Sequence, residues 1–149
     1  MAEYIATRLQ EVTLNSPIIF SASIPCRRNL IYHEDETGIF ILRGCTDQCF
    51  ASYQVTFNGN VSLPEESDVV PIALALVTEG EVRPSSLAIF TPQDTDEFGN
   101  LTSTAIVRVP KGCCFTLAVE YVSPITDPTV TPAPVINVQN ANLVINRIA

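Results

Sequence analysis

The chain has 149 residues, 46% of them hydrophobic, enough for one ordinary domain that buries about two-thirds of its unfolded surface. Its net charge is −8, from 16 acidic against 8 basic residues, a balance that repels phosphate backbones and argues against nucleic-acid binding. No stretch approaches the ~20 apolar residues of a membrane helix. The opening MAEYIATRLQEV is neither an export signal nor a transit peptide, so synthesis in a cytoplasm without export is expected.

Short alternating segments, punctuated by Pro, Gly, Asn and Asp at intervals of about ten residues, predict an all-β, antiparallel jelly-roll sandwich. Eleven prolines limit uninterrupted helix, and a chain rich in Val, Ile and Thr favours strands. Residues 1–24 read as an opening strand region, broken at Asn15-Ser16-Pro17. LIYHE and GIFILRG follow, separated by an acidic turn around Asp35 and Gly38. The clearest strand spans 51–63: Tyr53, Val55 and Phe57 share one face, and Gln54, Thr56 and Asn58 the other. PIALALVTEGEV turns at Glu79-Gly80, and SSLAIF returns as the second arm of a hairpin. TSTAIVRVPKG and CCFTLAVEYV are expected to pair through Pro110-Lys111-Gly112. Residues 123–135, SPITDPTVTPAPV, carry four prolines and read as an extended excursion, before VQNANLVINRIA closes a single domain over 1–149.

From these faces the expected core contains Tyr53, Val55, Phe57, Leu74, Val107, Leu117, Val119 and Leu143. Apolar residues also fall on the opposite faces: Ile106 opposes Ala105, Val107 and Val109, while Val144 and Ile148 oppose Leu143 and Ile145. A sheet with one wet side alternates more cleanly, so copies of the chain are expected to cover one sheet.

Reactive constellations are scarce. His33 is the only histidine, which removes most acid–base and triad chemistry, and it is expected in a loop. Carboxylates at 34–36 and at Asp94, Asp96 and Glu97 lack the spacing of a calcium loop. No glycine-rich phosphate loop links a strand to a helix, and no cofactor is called for. Asn100-Leu101-Thr102 matches a glycosylation sequon but carries no weight without an export signal. The five cysteines, Cys26, Cys45, Cys49, Cys113 and Cys114, leave three readings open: disulfides, a four-thiolate zinc site from the last four, or free thiols. The zinc reading suffers because adjacent Cys113 and Cys114 reach one tetrahedral ion poorly. By strand parity, Cys113 goes with Phe115, Leu117 and Val119 towards the core, and Cys114 with Thr116 and Glu120 outwards. Cytoplasmic synthesis followed by work in an oxidising place points to release by cell lysis, as from a phage particle or a spore-surface layer.

SYQVTFNGNV, ALALVTEGEV, TAIVRVPKG, FTLAVEYV and NANLVINRIA, in that order from Thr7 to Ala149, resemble the trimeric jelly rolls of the tumour-necrosis-factor and complement-globular-domain type. The likeness is closest to bacterial and phage members, such as the heads of collagen-like spore-surface glycoproteins. The chain departs from them in lacking a Gly-X-Y stalk, in its proline-rich excursion and in its cysteines. The resemblance implies a homotrimer without enzymatic activity that builds or decorates an extracellular particle. The alternative is a module on that particle that binds a receptor or glycan on a host surface. It also implies that the YQVTF strand neighbours TAIVRV in antiparallel fashion, which brings Cys45 and Cys49 towards Cys113 as candidates for a disulfide. Cys26 and Cys114 are then the candidates for links between chains.

Overall fold

The computed structural model describes residues 1–24, 30–124, 129 and 131–149. Cys26, Pro128 and most of the middle of the proline-rich excursion lie outside the described residues. Two six-stranded antiparallel sheets face each other in a jelly roll. In chain order the strands are β1 (Ala2–Ala6), β2 (Gln10–Thr13), β3 (Ala22–Ile24), β4 (Ile31–His33), β5 (Phe40–Arg43) and β6 (Phe50–Ser62). They continue with β7 (Ile72–Thr78), β8 (Glu81–Val82), β9 (Ala88–Phe90), β10 (Gly99–Pro110), β11 (Cys114–Val122) and β12 (Val135–Arg147). The front sheet runs β10-β6-β12-β1-β3, with β2 also on β12. The back sheet runs β4-β5-β11-β7-β8, with β9 also on β7. Among the described residues the one helical piece is the 3₁₀ turn Pro84–Ser86.

Alternation sets the front sheet. On β6, Tyr53, Val55 and Phe57 are buried and Gln54 is exposed; on β10, Ala105, Val107 and Val109 are buried and Ile106 and Arg108 exposed. β12 changes parity midway. Ile136 and Val138 point inward, then Ala141, Leu143 and Ile145 do so, because a bulge between Gln139 and Asn142 inserts one extra residue. Asn140 takes the left-handed conformation there (φ 53°), which asparagine tolerates better than most residues.

The back sheet is denser. Ile72 to Val77 of β7 are buried without interruption. Ile72, Leu74 and Leu76 enter the main core, whereas Ala73 and Ala75 form a small outer cluster with Val122. Burial on both faces is therefore strongest here, in an interior strand of the back sheet. β7 and β8 meet in a two-residue turn at Glu79 and Gly80, both at positive φ, the geometry that matches strand twist. Beyond it, the Ser86 hydroxyl accepts a hydrogen bond from the Leu76 amide at 2.9 Å, filling the gap in the ladder before β9.

Two expectations are corrected, and the opening strand region resolves into separate strands. β10 and β11 do not pair with each other: β10 pairs with β6, and β11 with β5 and β7. The turn between them carries the chain from the front sheet to the back one, helped by Gly112 at φ 78°. The opening region is three strands, because β3 folds onto β1 while β2 docks on β12. His33 ends β4 and is no loop residue. Its ring stacks on Phe40 at 4.3 Å and meets Tyr4 edge-on at 5.0 Å, so aromatic packing holds it to the sandwich.

Candidate functional site

All eight expected core residues, Tyr53, Val55, Phe57, Leu74, Val107, Leu117, Val119 and Leu143, are buried. Two buried tyrosines tie loops to this core. Tyr53 donates its hydroxyl to the Arg43 carbonyl at 2.5 Å, and burial raises its pKa against the opposing pull of Arg147. Tyr121 donates to the Ala133 carbonyl at 2.6 Å, and burial pushes its pKa up to about 12. Both therefore act as fixed donors and not as acids near neutral pH.

The four described cysteines, Cys45, Cys49, Cys113 and Cys114, gather at one end of the sandwich. Gly44 donates to the Cys113 carbonyl at 2.8 Å, Gly112 to the Gly44 carbonyl at 3.0 Å and Lys111 to the Cys49 carbonyl at 2.9 Å. The loop after β5 thus lies against the turn before β11, and the first hydrogen bonds close where Gly44 leaves no room for a side chain. A Cβ there would sit 2.1 Å from the Pro110 carbonyl oxygen. Cys45, Cys49, Cys113 and Cys114 are all exposed and unlinked in the structure. The inward placement of Cys113 is thereby corrected: it belongs to the turn, beyond the edge of the core, where strand parity no longer governs direction. Buried, inert thiols are likewise not what these four are.

Among the described residues, no three His, Cys, Asp or Glu side chains come together as a metal-binding group. The carboxylates at 34–36 and at Asp94, Asp96 and Glu97 stand exposed in turns. Asp94 and Glu97 accept local backbone hydrogen bonds from Thr95 and Gln93. His33 donates from Nε2 to the Thr37 carbonyl at 2.9 Å, and no nucleophile is placed against it by the hydrogen bonds of the described residues.

What the strands do build is a broad neutral surface. The outward positions of β6 and β10 are largely amides and hydroxyls, and they bond across the ladder. Asn100 donates to Asn58 at 2.6 Å, Thr102 donates to Asn58 at 3.1 Å and to Asn100 at 2.8 Å, and Thr56 lies 3.2 Å from Thr104. β12 extends the row with Asn142, Val144 and Asn146, paired with Asn58, Thr56 and Gln54. Arg108 is the one charge among the outward positions of these three strands. The sequence shows the polar alternation on β6, but its continuation across β10 and β12 depends on register, which only the folded sheet supplies.

The fold has known counterparts. The globular domain of zebrafish complement 1qA superposes with a TM-score of 0.59 at 11% identity, covering 96% of this chain and 94% of that one. The Eiger TNF from S. frugiperda gives 0.62 at 14% identity, covering 100% and 92%. Murine APRIL gives 0.57 at 9% identity, covering 95% and 96%. The chain is a jelly roll of the tumour-necrosis-factor and complement-globular-domain architecture. No protein-family model matches the sequence, and no curated protein matches it.

Proposed function

We propose that this chain is a structural protein that self-associates as a homotrimer through the outer face of its front sheet. It acts as one domain over its 149 residues, without enzymatic activity, and builds or decorates an extracellular particle, either a phage virion or a spore-type surface layer. The observation that carries the reading is the neutral face of β10, β6 and β12 on a chain of charge −8. Contact through this face brings together amides, hydroxyls, Val144 and Ile106, which is 52% exposed, with Arg108 as its one charge, and so sets little of the chain's acidic charge against itself. The jelly-roll architecture, with both terminal strands in that sheet, supports the same association. The exposed thiols fit a particle that works under oxidising conditions. In this reading Cys45 or Cys49 staples to Cys113, and Cys26 and Cys114 join chains.

Light scattering of the purified chain tests the trimer, with an expected mass of three times 16.2 kDa. Asn58→Arg together with Thr104→Arg places charge on the face and should leave a folded monomer. A wild-type chain that is a folded monomer at micromolar concentration overturns the reading. Antibody labelling in electron micrographs separates virions from spore layers.

A further inference from the structure

The two ends of the sandwich are chemically opposite. At the cysteine end stand Arg43, Arg108, Lys111 and Arg147, with Asp47 as the acidic residue of the adjoining loop. Glu79 and Glu81 lie further in, beside Thr116 and opposite Thr78. The apolar side chains exposed at this end include Phe50, 41% exposed with the Arg108 guanidinium 4.9 Å above its ring, and Ile148, 47% exposed. The far end is built from the loops 63–71 and 91–98. Asp96 donates its amide to the Leu63 carbonyl at 3.0 Å and joins the two. These loops expose Glu65, Glu66, Asp68, Asp94, Asp96 and Glu97 and contain no Lys or Arg. They too expose apolar groups, Val69 at 46% and Phe98 at 48%.

We infer that a second copy of this chain docks end to end, the basic end of one molecule on the acidic end of the next. Each end alone is an ordinary charged surface; the pairing lies in their complementarity within one chain, in charge and in exposed apolar groups. Contact of unlike ends is heterologous, so it does not close after two molecules and generates an open column. It adds to the trimer reading and uses different surfaces: side-by-side contacts take the front-sheet face, and axial contacts take the poles. A charge-driven axial contact weakens as salt shortens the screening length from about 30 Å near 0.01 M to about 3 Å at 1 M. The four exposed thiols then lie at the rim of every junction.

Sedimentation velocity of the full chain under reducing conditions, at about 0.02 M and about 0.5 M salt, tests this. The expected result is a species above the side-by-side oligomer at low salt that falls to that oligomer at high salt. A variant with Lys111→Glu, and another with Asp94→Lys and Glu97→Lys, each lose the large species alone. Mixing the two variants restores it, which also shows that both fold. Large species that ignore salt and charge reversal, their absence from the wild-type chain at low salt, or a mixture that stays unassembled overturns the axial contact. The trimer stands or falls separately on the mass at high salt.

Discussion

Replacing Phe57 with alanine tests the register of the front sheet most directly. Phe57 is 1% exposed on β6, between Ser103 of β10 and Leu143 of β12, with its ring tip laid along Gly59. A buried aromatic side chain removes about 150 Å² or more from water. At about 25 cal/mol per Å² that corresponds to nearly 4 kcal/mol, reduced to about 3 kcal/mol because alanine keeps the Cβ. Strands hydrogen-bonded on both sides of β6 resist collapse into the vacated space. The cavity adds to the cost, and the expected total is about 3–5 kcal/mol. For a chain of this size that lowers Tm by roughly 6–20 °C. Leu117→Ala on the back sheet should cost about 2–5 kcal/mol. Gln54→Ala, exposed on the same strand as Phe57, should stay within about 0.5 kcal/mol. Urea and thermal unfolding followed by circular dichroism, at one matched protein concentration because association feeds into stability, measure all three. Equal losses at Phe57 and Gln54, or small losses at both Phe57 and Leu117, refute the inward assignment.

Two further outcomes are expected. Native material trapped with a thiol-blocking reagent should show, on non-reducing electrophoresis and peptide mapping, a bond from Cys45 or Cys49 to Cys113. Larger species should collapse on reduction, whereas five freely alkylated thiols remove both staple and cross-link. Burial raises the pKa of Glu120 above its ordinary 4.5, so the folded state binds its proton more tightly than the unfolded chain. The resulting penalty is absent below pH 4.5 and complete above the raised value, so Glu120→Gln should raise Tm at pH 7 and lose that advantage in acid. A Tm gain that persists unchanged at pH 3 contradicts the assignment.

The strands were legible because side-chain alternation is a local property: Tyr53, Val55 and Phe57 against Gln54, Thr56 and Asn58 need only the two-residue period of an extended chain. The Glu79-Gly80 turn was legible for a similar reason, since two adjacent residues carry its geometry. Sheet membership was not. TAIVRVP and CCFTLAVEYV have the local signs of a hairpin, yet the turn at 110–113 crosses between sheets, because β5 and β7 occupy both edges of β11 and leave none for β10. β12 hid its core face for another reason: its parity reverses at Asn140, and a bulge shows only as an apolar pattern shared between both faces.

The candidate surfaces divide in the same way. By itself the sequence determined an all-β chain of strongly acidic charge, its inward-facing residues on separate strands, and the lack of a histidine-rich or phosphate-binding set. Tertiary structure alone decided that amides from three separate strands form one neutral face, because their alignment is a matter of register over gaps of some forty residues, as between Asn58 and Asn100. It also decided that four cysteines and four cations share one end while six carboxylates occupy the other. Charge is counted along a chain, but its separation in space depends on which loops the sheets bring together.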